Sequence, residues 1–292
     1  PFTKELAPDV PRFVRHCKWL LAHGCSGLAV FGTNSEANSL SAEERMMLLE
    51  ELVQSGVPAE KLMPGTGCSA LTDSVRLTAH AVKLGCAGAL MLPPFYYKGV
   101  PDEGLFRNFS EVIERVADER LQVYLYHIPP VAQVPISLGL IERLLKRYPK
   151  IVAGIKDSSG DWSNTKAVLD AFGAQGFEVF AGSEVFLLRN MRAGGVGCIT
   201  AGANVNPHGI DKVYQNWQSA NADALQEVID RVRNVLQSQA SMIPALKAAI
   251  AHYAADADWM TVRPPLVELT GAQQAAMVKE LGGVGFDMPG IR

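Results

Sequence analysis

The sequence lacks the features that mark several large classes of protein. None of its apolar runs reaches the roughly 18 residues that a transmembrane helix needs, and no basic segment followed by an apolar one opens the chain, as it would in a secretory signal. With a formal net charge of −3, the chain offers no basic excess for nucleic acid or for an anionic membrane. We therefore expect neither a membrane nor a nucleic acid as its partner.

Cysteine and histidine are also scarce. The five cysteines are odd in number, scattered, and form no CxxC pair, which disfavours both a disulfide framework and a zinc site. The six histidines do not cluster where apolar segments end, which argues against a metal-dependent enzyme. We expect buried, reduced cysteines in a cytoplasmic protein.

What the chain does have is a regular alternation of short apolar segments with amphipathic ones. Seven apolar segments recur at intervals of about 20 to 35 residues, which is the spacing of strand–helix units. They are residues 27–32, 61–67, 88–94, 121–128, 151–156, 177–183 and 197–203. Continuous apolar strands that alternate with helices indicate a parallel sheet covered by helices.

Seven strands are one short of a closed eight-stranded barrel. We predict an α/β fold, a (β/α)8 TIM barrel over residues 1–223, with its first strand upstream of residue 1. The alternative is an open doubly wound sheet, but no GxGxxG follows the first visible strand and no Walker motif is present. Beyond residue 223 three helical patterns follow, with breaks expected at Pro244 and at residues 263–265. They predict a C-terminal helical extension over residues 224–292.

In such a barrel the active site lies at the carboxyl ends of the strands. The polar residues at these ends are Thr33, Asn34, Tyr96, Tyr97, Tyr126, His127, Lys156, Ser183 and Glu184. The most informative is Lys156, since it ends the buried pattern "IVAGIK" and charged side chains are almost never fully buried unless paired. It is either a strand-end lysine that reaches solvent or an amine held inside for chemistry.

A desolvated lysine is suited to Schiff-base chemistry. Burial lowers the pKa of a lysine, and the free amine can then attack a ketone. The protonated imine is an electron sink that permits a nearby C–C bond to form or break. Tyr126 suits the accompanying proton shuttle, whereas strand alternation turns His127 to the opposite face, where we expect a structural role. Tyr126 alone could be a core aromatic, and Thr33 and Asn34 could be turn residues, but together with Lys156 they favour imine chemistry.

Four motifs make the chain similar to a known family. They are "GTNSE" (32–36), "YHIP" (126–129), "GIKDSSGD" (154–161) and "GGVGCITAGANVNP" (194–207). They resemble the corresponding motifs of the dihydrodipicolinate synthase / N-acetylneuraminate lyase family, the pyruvate-dependent class I aldolases and synthases. The resemblance runs from the first residues through the helical tail. It implies a TIM barrel, a 2-oxo acid as the small-molecule partner, no metal or organic cofactor, and a homotetramer.

The resemblance also implies catalytic roles. Lys156 would form the imine with pyruvate or another 2-oxo acid, and Tyr126 would shuttle protons. Thr33 would link Tyr126 to Tyr97, which in the family reaches in from a neighbouring subunit.

Substrate-binding roles follow in the same way. Thr33 and Asn34 would hold the carboxylate of the 2-oxo acid, and Ile199 would line the pocket through its backbone. Ser158 and Ser183 are the remaining candidates for substrate binding.

The sequence departs from the family in three places, the first of which is Asn34 in place of the second threonine of the loop. Ser35 replaces a loop glycine, which would cost energy if that position needed a positive φ. Residues 130–133 after the "YHIP" motif lack the arginine that binds the distal carboxylate in the synthase. This argues against dihydrodipicolinate synthesis, and "FAGSEVFLL" is nearer to the hydroxy-oxoglutarate and keto-deoxy-sugar-acid aldolases.

We therefore expect a carbon–carbon lyase that acts on a 4-hydroxy-2-oxo acid or a 2-keto-3-deoxy sugar acid. Two alternatives use the same imine: a synthase-type condensation and the dehydration of a keto-deoxy sugar acid. An alternative of another class is a catalytically lapsed binding or regulatory paralogue. The intact Lys156, Tyr126 and Thr33 argue against it, and the change at Ser35 is the one feature in its favour.

Overall fold

A computed structural model of the chain describes residues 1–291; Arg292, the last residue of the expected extension, lies outside the described residues. Within this range a parallel sheet has five strands in sequence order. These are β1 (Ala89–Met91), β2 (Val123–His127), β3 (Val152–Asp157), β4 (Glu178–Ala181) and β5 (Gly197–Cys198). Every neighbouring pair in this sheet is parallel, as continuous apolar strands joined by helices predict.

The first two predicted strands are present only as isolated parallel bridges. Leu28 pairs with Leu62, and Gly65 pairs with Leu90 of β1, so all seven apolar segments lie side by side in chain order. Two local features limit the pairing of the first two apolar segments to single bridges. Phe31 has a φ of 58°, outside the extended region, and Pro64 has no N–H to donate to a neighbouring strand.

Helices follow the strands, as the amphipathic segments predict. They are α1 (Val10–Ala22), α2 (Ala42–Gln54), α3 (Leu71–Leu84), α4 (Asp102–Val116), α5 (Pro129–Ala132), α6 (Leu138–Arg147), α7 (Trp162–Phe172), α8 (Leu187–Arg192) and α9 (Pro207–Gln215). Ser41 and Glu44 form the capping box of α2. Gly85 ends α3 in the left-handed conformation, with a φ of 82°.

Short 3₁₀ turns connect several of these elements. They span Thr33–Ser35, Ala37–Ser39, Ala59–Lys61, Gly173–Gln175, Glu184–Phe186, Gly202–Asn204 and Ala257–Met260. The first two lie one after the other between the first apolar segment and α2, and the Glu184–Phe186 and Gly202–Asn204 turns follow β4 and β5. The ends of several strands therefore lead into compact turns rather than long flexible loops.

The predicted C-terminal helices are α10 (Ala222–Gln237), α11 (Met242–Tyr253) and α12 (Gly271–Gly283). The break expected at Pro244 is wrong. Pro244 lies in the first turn of α11, where its missing N–H would have no partner within the helix. Residues from α10 and α11 share an apolar core with the first two apolar segments and α2. The division at residue 223 stays a prediction.

Alternation along the strands separates two environments. Val123 and Leu125 of β2 and Ile155 of β3 pack with the helices α4, α6 and α7 on one side of the sheet. Tyr126 of β2 and Lys156 of β3 are paired in register and point to the other side. The period of two thus places the tyrosine and the lysine in one layer of the barrel interior.

Candidate active site

Lys156 is buried inside the barrel and is only 6% exposed. Its Nζ lies 4.2 Å from the centre of the Tyr126 ring, because parallel pairing of β2 with β3 puts the two residues side by side. Among residues 1–291, no carboxylate oxygen lies within salt-bridge distance of this amine. The lysine is therefore held in an aromatic, desolvated setting, which favours the interpretation of a functional amine over that of a solvent-reaching strand end.

Tyr126 connects the lysine to a turn. Its side chain is buried, and its hydroxyl shares a hydrogen bond of 3.1 Å with Oγ1 of Thr33. Thr33 begins the 3₁₀ turn Thr33–Ser35 that follows the first apolar segment. Three of the residues predicted to be catalytic, Lys156, Tyr126 and Thr33, thus form one contiguous group.

A cavity of about 580 Å³ runs through the barrel beside this group. Thr33, Asn34, Lys156 and Ile199 all line it, so these four predicted site residues lie around one space. A cavity of this size lies within the range of small-molecule sites.

The turn itself corrects one expectation. The left-handed conformation does not fall on Ser35, which lies within the 3₁₀ turn, but on Glu36, with a φ of 52°. The energetic cost expected for Ser35 in place of glycine is therefore absent at that position. Glu36 is instead a buried residue in a conformation that L-amino acids other than glycine seldom adopt.

Three predicted site residues lie away from this group. Tyr97 is 68% exposed, and its ring contacts the ring of Tyr96 with centroids 5.4 Å apart. Oγ of Ser183 accepts the N–H of Val185 at 3.4 Å, which caps the turn after β4. Ser158 follows β3 and donates its N–H to the carbonyl of His127. Within one chain, these side chains do not line the cavity that Lys156 lines.

His127 occupies the opposite face of β2, as the alternation predicts. Its Nδ1 accepts the backbone N–H of Ile136 at 3.0 Å, and burial lowers its pKa below the ordinary value. A neutral imidazole fixed as a hydrogen-bond acceptor holds the segment after α5 in place. The structure gives His127 this structural contact.

Asp157 is a buried residue that the sequence pattern did not single out. Its carboxylate accepts hydrogen bonds from the N–H of Ser159, the amide of Asn164 and the hydroxyl of Thr165. These bonds anchor the start of α7 to the residue that follows Lys156. The spacing Asp-x-Ser at the end of a strand was the available signal, because an aspartate often accepts the N–H two residues further on.

Two buried ion pairs form a second group, of which sequence reasoning singled out Glu184 alone. Glu36 forms a buried ion pair with Lys247 of α11, and both side chains line the same cavity. Glu184 forms another, with Arg233 of α10 at 3.0 Å, and it also accepts the hydroxyl of Thr200 after β5. In both cases a carboxylate at a strand or turn end pairs with a cationic side chain from the C-terminal helices.

Residues 1–291 contain no metal-binding cluster, no disulfide and no helix that could span a membrane. Over residues 1–291, no group of three or more His, Cys, Asp or Glu side chains is arranged to hold a metal ion. The five cysteines are free. No helix in that range is long and apolar enough to cross a membrane.

Comparison with known proteins identifies the family. The sequence model of the dihydrodipicolinate synthetase family matches residues 1–282. The chain belongs to this family. Membership confirms the resemblance seen in the four motifs, and it makes the chain a carbon–carbon lyase in the broad sense of a family of aldolases and synthases.

Individual members of the dihydrodipicolinate synthetase family cover almost the whole chain. An uncharacterized DapA-like lyase of Chloroflexus aurantiacus is 33% identical over 280 residues, which are 95% of this chain and 91% of that protein. The crystal structure of dihydrodipicolinate synthase from Agrobacterium tumefaciens is 28% identical, with a TM-score of 0.89 over 97% of this chain and 96% of the other.

The chloride-inhibited dihydrodipicolinate synthase of Acinetobacter baumannii, solved with pyruvate, is 26% identical, with a TM-score of 0.84 over 98% of this chain and 96% of the other. These likenesses confirm the (β/α)8 barrel fold with a helical C-terminal part.

Proposed function

We propose that this protein is a class I aldolase. Through an imine on Lys156, it cleaves a 4-hydroxy-2-oxo acid or a 2-keto-3-deoxy sugar acid to pyruvate and an aldehyde. The observation that carries the proposal is the chain from the buried Lys156 and Tyr126 to the partly buried Thr33, in which the amine lies 4.2 Å from the tyrosine ring and the hydroxyls lie 3.1 Å apart. Such a group supplies both a nucleophile and a proton relay.

The first step is formation of the imine. The Lys156 amine attacks C2 of the 2-oxo acid, and the resulting hydroxyl takes a proton from the Tyr126 hydroxyl and leaves as water, which gives an iminium. The carboxylate of the substrate is held at the start of the 3₁₀ turn by Thr33 and Asn34, whose N–H groups make no backbone hydrogen bond within residues 1–291. Ile199 lines the same cavity as Thr33 and Asn34.

The second step breaks the C3–C4 bond. The Tyr126 oxygen, which gave up its proton when water was lost and is held by the Thr33 hydroxyl, takes up the proton of the C4 hydroxyl as the C3–C4 bonding electrons move into the iminium. An aldehyde leaves, and an enamine of pyruvate remains on Lys156. Protonation at C3 and addition of water then release pyruvate and restore the amine.

Cleavage is favoured over synthesis by the segment after β2. The short helix α5 that follows Tyr126 has the sequence "PPVA" and carries no cation to bind the distal carboxylate of aspartate semialdehyde. Condensation through the same imine is the second candidate, because the Agrobacterium tumefaciens and Acinetobacter baumannii relatives are named as synthases.

A substrate panel distinguishes these reactions. The purified protein is incubated with 4-hydroxy-2-oxoglutarate, with 2-keto-3-deoxygluconate, and with pyruvate plus aspartate semialdehyde, and the pyruvate and the other products in quenched samples are measured by mass spectrometry. We expect pyruvate release from one of the first two substrates and none from the Lys156→Ala variant. Lys166→Ala, a change at an exposed lysine of α7, is the matched control and keeps full activity.

Each other outcome would assign the protein a different function. Pyruvate consumption with aspartate semialdehyde alone would make the protein a synthase. Loss of water from the sugar acid without pyruvate release would make it a dehydratase. No turnover of any substrate by the folded protein would favour the lapsed paralogue.

The assembly and the compartment are part of the proposal. We propose a homotetramer in which Tyr97 completes the proton relay of a neighbouring subunit; the exposed pair Tyr96 and Tyr97 supports it, since large exposed aromatics mark contact surfaces. Sedimentation analysis of the wild type and of Tyr97→Asp tests it, with dissociation expected for the variant. We also propose that the protein is located in the reducing cytoplasm, which its five free cysteines support.

A further inference from the structure

Glu36 directly follows the 3₁₀ turn Thr33–Ser35 and has a strained backbone conformation. Its φ of 52° and ψ of 35° lie in the left-handed region, which L-residues with a side chain avoid. A strained, buried residue beside a candidate site persists only where its surroundings hold it. The position of the Thr33–Ser35 turn therefore depends on what holds the Glu36 side chain.

The side chain is held by the C-terminal extension. Its Oε1 pairs with Nζ of Lys247, and its Oε2 accepts the N–H of Arg263 at 3.4 Å. Lys247 also donates to the carbonyl of Thr261 at 2.7 Å and lies 4.7 Å from the centre of the Phe2 ring. Lys247 is the one charged residue in the buried run 244–251 of α11.

A second contact holds the other end of this loop. The Arg263 guanidinium donates to both carboxylate oxygens of Glu44 and to the carbonyl of Ser39, and its Nε donates to the carbonyl of Leu6. It also lies over the ring of Phe2, 4.5 Å from its centre. Both ends of the Glu36–Ser39 segment are thus attached to the part of the chain that follows α10.

We propose that the Glu36–Lys247 ion pair is a positioning element, by which the C-terminal extension sets the turn that binds the 2-oxo acid carboxylate. The inference rests on the proposed function, because it concerns affinity for that substrate. The charges predict the direction of the effect. Without Lys247, Glu36 loses its ion-pair partner, and a buried carboxylate with less compensating charge lies one residue from the turn that must accept another carboxylate.

Two physical effects make the pair sensitive to substitution. Removing one partner of a buried ion pair leaves an uncompensated buried charge. Burial lowers the pKa of Lys247, and the neighbouring Glu36 opposes that shift, so the ammonium depends on its partner. A displaced turn also moves Thr33 away from the hydroxyl of Tyr126, and a small misplacement of reacting groups can cost on the order of 100-fold.

The test measures how much pyruvate each variant needs. Borohydride reduction at a series of pyruvate concentrations gives the half-saturating concentration for adduct formation on Lys156. We expect Lys247→Met to raise this concentration on the order of 100-fold, with the same adduct at saturation. Lys247→Arg, which keeps the charge, restores most of the affinity.

A matched control separates positioning from stability. Arg12 of α1 forms a partly buried ion pair with Asp256, which also attaches the C-terminal part of the chain but does not touch the turn. Arg12→Met is expected to lower the melting temperature and leave the half-saturating pyruvate concentration unchanged. If Lys247→Met does not fold, Glu36→Gln is measured in the same assay. The positioning role then predicts a higher half-saturating pyruvate concentration for Glu36→Gln than for the wild type.

The outcomes distinguish this inference from the proposed function. Adduct formation in the wild type with an unchanged half-saturating concentration in Lys247→Met or Glu36→Gln overturns the positioning role and leaves the aldolase intact. No adduct in the wild type overturns both. An equal loss of affinity in Arg12→Met would show a general effect of stability and would also overturn the positioning role.

Discussion

The Tyr126 hydroxyl is the group whose removal tests the proposed relay most sharply. Tyr126→Phe keeps the ring that lies 4.2 Å from the Lys156 amine and removes only the oxygen that is 3.1 Å from Thr33. Loss of a general acid–base group costs about 10² to 10⁴ in rate, which corresponds to about 3 to 5 kcal/mol of activation free energy. The lost hydrogen bond should lower the free energy of unfolding by only about 0.5 to 1.5 kcal/mol. The variant should therefore fold, bind pyruvate and turn over slowly.

The assay needs no aldehyde partner. In deuterium oxide, the imine and enamine exchange the methyl protons of pyruvate, and proton NMR follows the loss of the methyl signal. Tyr124→Phe is the matched control, because Tyr124 lies on the same strand and donates its hydroxyl to Glu178 at 2.8 Å. We expect exchange to slow about 100-fold or more in Tyr126→Phe and to stay near the wild-type rate in Tyr124→Phe. Wild-type exchange in Tyr126→Phe, or equal slowing in both variants, would refute the relay.

Three further predictions concern stability, each read from the urea midpoint. Ile155→Ala should lower the free energy of unfolding by about 2 to 5 kcal/mol, because Ile155 is fully buried against the helices; an unchanged midpoint contradicts this packing. Gly182→Ala should lower the free energy of unfolding by about 1 to 3 kcal/mol, since its Cβ would overlap Oγ of Ser158 and the carbonyl of Asp157; a neutral effect would contradict the close approach. Arg263 lowers the pKa of Glu44 below 4.5, so the carboxylate adds stability above pH 4.5 that is lost as the pH falls through the lowered pKa. Glu44→Gln should therefore be less stable than the wild type by up to about 1 kcal/mol at pH 7, with the difference shrinking only below pH 4.5; a difference independent of pH refutes it.

Alternation and chain order were readable from the sequence. A period of two in "VYLYH" places Tyr126 on the face opposite Val123, Leu125 and His127. The order of the seven apolar segments follows from parallel strands joined by helices. These local rules suffice because they depend only on neighbouring residues.

The register between strands was not readable. Tyr126 pairs with Lys156 because the β2–β3 register shifts between Val123 and Tyr124, and no local pattern indicates such a shift. The sequence also did not show that the positive φ falls on Glu36 rather than Ser35, nor that the Glu36 side chain pairs with Lys247 of the distant helix α11. Contacts between distant segments are what local patterns leave undetermined.

The most direct test of the central claim is reductive trapping of the imine. The protein is incubated with pyruvate and borohydride, digested, and its peptides are weighed by mass spectrometry. The account predicts a pyruvate adduct on the peptide that contains Lys156, present in Lys166→Ala and absent from Lys156→Ala. No adduct at high pyruvate in the folded protein, or an adduct that survives Lys156→Ala, would contradict imine chemistry at Lys156.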